Sequence, residues 1–171
     1  MIQVSDDIKQ GWLHFPPRKA TEAEIRLLEA RFGASLPRQY VDFVKTYGFV
    51  KFGYDANDTR IVTVMHEGEG QRELSQATIG FLVPPERAIQ TWTTFTDKSD
   101  PDAEDLPLIP DGYFPAANDN GQGLVLIELQ TGRIWYWRES AWRWGTEDNT
   151  RLGFVAQDFD GFINALRPEV A

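Results

Sequence analysis

Leu124-Val125-Leu126-Ile127-Glu128-Leu129-Gln130-Thr131-Gly132-Arg133-Ile134-Trp135-Tyr136-Trp137 is a strand, a turn and a return strand. Leu124 to Leu129 is apolar except at Glu128. Gln130-Thr131-Gly132 supplies turn chemistry, and Arg133 to Trp137 is rich in β-formers. Side chains alternate along a strand, so Trp135 and Trp137 share one face while Tyr136 points to the other. Upstream, Tyr113-Phe114-Pro115-Ala116-Ala117 leads into a turn at Asn118-Asp119-Asn120-Gly121. Together these segments predict an antiparallel meander.

The first fifty residues follow a different period. Thr21 followed by Glu24 has the spacing of a capping box, in which the Thr hydroxyl and the Glu carboxylate satisfy each other's backbone N–H. Ile25, Leu28 and Phe32 then fall on one helical face, and Gly33 offers a left-handed stop. A second helix opens at Leu36-Pro37, with Tyr40, Phe43, Val44 and Tyr47 as its stripe and Gly48 as its end. These predict a helical hairpin with a short joint. Phe49 to Phe52 and Thr59 to Val64 read as strands, and His66 to Arg72 as a polar loop. Pro84-Pro85 starts a helix with Ala88, Ile89, Trp92 and Phe95 on one face. Val155, Phe159, Phe162, Ile163 and Leu166 mark a closing helix. The expected class is α+β: an N-terminal helical hairpin packed on a central antiparallel sheet, with a closing C-terminal helix. No repeat or linker stands out, so one domain over residues 1–171, with a core of about 20–167, is expected.

Composition narrows the chemistry. The 171 residues include 26 acids, 17 bases, two His and no Cys, for a formal charge of -9. Without cysteine there are no disulfides, thiolate zinc sites or Cys nucleophiles. The charge is concentrated in residues 97–130. There Asp97, Asp100, Asp102, Glu104, Asp105, Asp111, Asp119 and Glu128 face Lys98 alone, a net of -7. Such a surface repels phosphate backbones, so nucleic acid is not an expected partner. The N-terminus is neither basic nor followed by a long apolar run, and no stretch approaches the roughly 20 apolar residues of a membrane span. A cytoplasmic protein without membrane association is the expectation.

No catalytic motif is present: neither GxSxG, nor HExxH, nor a phosphate-binding loop. His66-Glu67 lacks a second histidine four residues on, and His14 lies between Leu13 and Phe15. Asn118 to Gly121 and residues 97–105 carry oxygen ligands but not EF-hand spacing, and read as turns. No enzyme, cofactor or metal site is expected. Six Trp are many for this length, and Trp142 and Trp144 repeat the alternation of Trp135 and Trp137. Two readings stand: rings that finish the core, or an exposed aromatic patch of the kind enriched at interface hot spots.

The order of these segments resembles the SUKH superfamily of Smi/Knr-like domains. Leu36-Pro37-Arg38-Gln39-Tyr40-Val41-Asp42-Phe43-Val44 with Tyr47-Gly48 is similar to its "LP-x-x-Y-x-x-F" helix and stop. The Thr21-capped helix is similar to its first helix. Phe114 to Gly121 resembles its strand and turn, Leu124 to Trp137 the hairpin that follows, and Val155 to Ile163 its closing "A-x-x-F-x-x-F" helix. The resemblance implies a non-enzymatic binding domain; many bacterial members look like immunity proteins that neutralise a toxin domain, often a nuclease. A cognate toxin domain is therefore the expected partner. Asp100, Asp102, Glu104 and Asp105 are the expected rim charges, and Trp142 and Trp144 the expected anchors. A regulatory or scaffold domain binding a host protein or small ligand is the alternative. Oligomeric state is left open.

Overall fold

The computed structural model describes residues 2–13, 15–52, 59–68, 71–96, 109–119, 121, 123–138 and 152–169. The helical hairpin forms as its caps dictate. Helix α1 (Asp6–Trp12) precedes it, followed by α2 (Glu22–Phe32) and α3 (Arg38–Thr46). At the start of α2, the Glu24 N–H donates to the Thr21 hydroxyl at 3.2 Å, and the Thr21 N–H to the Glu24 carboxylate at 2.8 Å. Tyr40, Phe43 and Val44 of α3 are fully buried, as the stripe requires.

Then come β1 (Arg60–Gly68), β2 (Gln71–Ile79), β3 (Phe81–Leu82), α4 (Pro85–Thr94), β4 (Tyr113–Asn118), β5 (Gly123–Glu128), β6 (Ile134–Arg138), β7 (Leu152–Ala156), α5 (Phe159–Ala165) and β8 (Arg167–Pro168). Among the described residues the strands make one antiparallel sheet in the order β2-β1-β7-β6-β5-β4-β3, with β8 beside β1. The α+β class and the meander are as expected. β7 is inserted between β6 and β1, so the N-terminal hairpin of strands and the meander share one sheet.

Alternation sorts the side chains onto two faces. Val62, Val64, Phe114, Val125, Ile127, Ile134 and Tyr136 face the helices, where Tyr40, Phe43, Phe159 and Phe162 complete a large core. Tyr40 packs edge-on against Phe114 and Phe159, with ring centroids 5.3 Å apart in both pairs. Tyr113, Leu124, Leu126, Trp137 and Leu152 form a smaller cluster on the opposite face.

Four expectations need correction. Phe49–Phe52 is not a strand; Lys51 makes only an isolated bridge to Phe81. His66 to Arg72 is not a loop, because β1 runs to Gly68 and β2 begins at Gln71. The polar sequence hid a hairpin whose helix-facing positions in β2 are Ser75, Ala77 and Ile79. Val155 belongs to β7, and α5 starts at Phe159 because the Asp158 carboxylate accepts the Gly161 N–H at 2.8 Å and caps it. Phe95 follows α4 and joins the smaller cluster, away from the large core that Ala88 enters.

Helix α1 was not expected. Val4, Ile8 and Trp12 recur every four residues and pack on the large core. The Trp12 indole donates to the Lys51 carbonyl at 3.0 Å, and buried Arg60 pairs with Asp7 at 2.6 Å.

Candidate functional site at the loop end of the sheet

The six residues singled out by sequence, Asp100, Asp102, Glu104, Asp105, Trp142 and Trp144, lie outside the described residues. What is described is where their segments leave the sheet and return to it. Helix α4 ends at Thr94, and the Phe95 N–H still donates to the Thr91 carbonyl at 3.0 Å. The Ile109 N–H then donates to the Phe95 carbonyl at 2.9 Å. The chain that carries the acids therefore comes back to the spot it left. The segment with Trp142 and Trp144 is closed in the same way, because Trp137 at the end of β6 stands in register with Leu152 at the start of β7.

These two stems touch. The Phe95 and Trp137 rings have centroids 5.0 Å apart, and Ile109, Leu152, Leu124 and Leu126 complete the same cluster. Trp137 is 1% exposed, and its indole N–H has no hydrogen-bond partner among the described residues. This is an apolar base, built from residues that meet only through the fold. Trp135 shares that face, half-buried, and donates its indole N–H to the Glu128 carboxylate at 3.2 Å. The alternation of Trp135, Tyr136 and Trp137 is thus realised.

On the helix-covered face, the same end of the sheet carries a polar row. The Tyr136 hydroxyl donates to Asp119 Oδ2 at 2.6 Å, and the Gly121 N–H to Asp119 Oδ1 at 2.6 Å. Asp119 therefore fastens the β4–β5 turn to β6. Gly123 makes room for this contact, since a Cβ there would meet the Tyr136 hydroxyl at 2.0 Å. Across β7, His66 Nε2 and Ser75 Oγ are 2.9 Å apart. A Cβ on Gly153 would strike Val64 at 2.2 Å and the His66 ring at 2.4 Å. Burial, followed by the hydrogen bond to Asp119, pushes the Tyr136 phenol above its ordinary range, so it stays a protonated donor at neutral pH. Burial lowers His66, with Glu73 opposing, which favours a neutral ring.

Chemically, this row fixes turns to strands, and the opposite face presents an apolar base. Among the described residues no group of three or more His, Asp or Glu side chains is placed to hold a metal ion. None of the described helices is long and apolar enough to cross a membrane.

The sequence matches the SMI1 / KNR4 family (SUKH-1) over residues 19–165. The chain belongs to that family. The matched span opens just before the Thr21 cap and closes at the end of α5, so α1 precedes it and β8 follows it. Comparison with curated proteins gives no match. The resemblance carried by the Leu36-Pro37 helix, the Asp119 turn and the closing helix is therefore a true kinship. Sequence reasoning missed the contact between the two stems, because no local pattern announces that Phe95 will meet Trp137.

Proposed function

We propose that this chain is a cytoplasmic immunity protein that binds and neutralises a cognate toxin domain by occlusion, without catalysis. Membership of the SMI1 / KNR4 family (SUKH-1) fits a protein of the immunity type with a protein partner. The observation that supports this surface most directly is the shared apolar base. The segment with Asp100, Asp102, Glu104 and Asp105 and the segment with Trp142 and Trp144 both spring from the Phe95–Trp137 contact.

The physical logic is division of labour. A dense acidic segment attracts a basic, nucleic-acid-seeking toxin and raises the rate of encounter. Trp side chains supply the buried contact area that slows dissociation. Charge sets the approach, and the rings set the residence time.

The test is to inspect the neighbouring reading frame for a toxin-bearing protein and to co-express its C-terminal domain with this chain. Cells that survive with the wild-type chain and die without it support the proposal. Cells that die in both cases contradict it.

A further inference from the structure

The two edges of the sheet are built differently. At one edge β3 is only 2 residues long, and the segment before it lies alongside. Lys51 bridges Phe81, the Phe52 N–H donates to the Gly80 carbonyl at 2.8 Å, and the Leu82 N–H to the Val50 carbonyl at 2.9 Å. At the other edge β2 has 9 residues in unbroken register with β1, from Arg60↔Ile79 to Gly68↔Gln71. Among the described residues nothing pairs with its outer side.

Soluble proteins guard such an edge with proline, lysine, a bulge or a short strand. β2 has none of these. Its charges are Arg72 and Glu73, and Arg72 is already paired within the protomer to Glu67 at 2.8 Å. At its middle stands Leu74, 68% exposed. Leu74 is no isolated leucine. It is in register with Met65, Met65 with Phe154, Phe154 with Trp135, and Trp135 with Leu126. Residues directly opposite share a face, so an apolar row crosses the sheet on the side away from the helices and stops, exposed, at the edge.

We infer that β2 is a homodimer interface, which pairs antiparallel with β2 of a second copy of this chain about a two-fold axis at Leu74. That register sets Leu74 against the second copy's Leu74 and continues the apolar row from one sheet into the next. It sets Arg72 opposite Gln76 and Glu73 opposite Ser75, so no like charges are directly opposed. The hydrophobic position selects the register, because a one-residue slip turns the set to the other face. The charge of -9 on each copy opposes self-association, so the dimer should tighten as added salt screens that repulsion. Antiparallel strands place the loop end of one copy beside the opposite end of the other. The chain leaves the described residues at Thr96, at that loop end, so the pairing sets the two points of departure at opposite ends of the joined strands. A closed two-fold uses up both edges and does not propagate into fibres.

Sedimentation equilibrium of the intact protein tests this, together with a cross-link. The chain has no cysteine, so Leu74→Cys and Gln76→Cys each carry a single thiol. Wild type is expected to be a reversible dimer, and Leu74→Lys, at a position exposed in the protomer, should weaken it about tenfold or more. Under mild oxidation, Leu74→Cys should form an interchain disulfide readily. Gln76→Cys should not, because in this register its two copies lie too far apart to bridge. A wild-type chain that remains monomeric at all concentrations overturns the inference. So does equal cross-linking of the two Cys variants, or protection of the β2 amides from hydrogen exchange only when a different protein is added.

Discussion

The two faces of the sheet differ in what their apolar residues accomplish. On the helix side, Tyr40, Phe43, Phe114, Phe159 and Phe162 belong to one continuous core to which helices α1 to α5 and strands β1 to β7 all contribute. On the other side, a cluster of Ile109, Tyr113, Leu124, Leu126, Trp137 and Leu152, with Phe95 against it, closes two excursions of the chain at one end. The first face determines whether the protein folds. The second determines where its acidic and Trp-bearing segments emerge. Under the proposed function, stability and recognition would fall on opposite sides of one sheet, and each should be open to perturbation with little effect on the other.

The largest effect is expected from the helix side. Phe43→Ala removes a ring that is 1% exposed and touches Tyr47 and Phe159. It should cost about 3–5 kcal/mol in chemical denaturation. A loss within 1 kcal/mol would break the comparison at its root.

Two buried tyrosines refine it. Tyr136 donates to a carboxylate at 2.6 Å, whereas the Tyr40 hydroxyl is buried with no hydrogen-bond partner among the described residues. Tyr136→Phe should therefore cost about 1.5–3 kcal/mol, the range for hydrogen bonds to charged groups. Tyr40→Phe keeps the ring and discards an unsatisfied polar atom, so its free energy of unfolding should be unchanged or rise by about 1 kcal/mol. Equal losses in the two variants would show that the rings, and not the hydroxyls, account for both positions.

The same pair gives a pH dependence. Burial raises both phenols above their ordinary value, with Asp119 adding to the effect at Tyr136. A raised folded-state pKa contributes stability that is fully present below the unfolded value of about 10 and is lost as pH rises through the folded values. Unfolding midpoints measured from pH 8 to 11 should fall at the alkaline end. In either Phe variant the fall should be shallower.

The smallest stability effect is expected from the acidic segment. Reversing Asp100, Asp102, Glu104 and Asp105 to Lys should change unfolding free energy by no more than about 0.5 kcal/mol per site. A collapse of stability would mean that these charges serve the fold.

Much of this architecture was legible in the chain because it is encoded locally. Thr21 and Glu24 announce a helix start, Leu36-Pro37 another, and the Gln130-Thr131-Gly132 turn a hairpin; all three formed. The errors have equally local causes. β2 shows no strand alternation in its sequence because its helix-facing Ser75 and Ala77 are small, while its large apolar residue, Leu74, points outward. Val155 falls on the apolar face of the closing helix by spacing, yet the Asp158 cap starts α5 only at Phe159 and leaves Val155 in β7. The site was legible only as composition: the charge run and the Trp alternation could be counted. Their common root depends on Phe95 meeting Trp137 and Ile109 returning to Phe95, contacts between distant residues that periodicity does not carry.

The central claim, that the loop end of the sheet is the toxin-facing surface, is tested most directly by association kinetics. The toxin domain would be mixed with wild type and with the four-site Lys variant across a range of salt concentrations. The account predicts that the variant associates about tenfold or more slowly at low ionic strength and that its rate depends far less on salt. Identical association rates and identical salt dependence in the two proteins would contradict it.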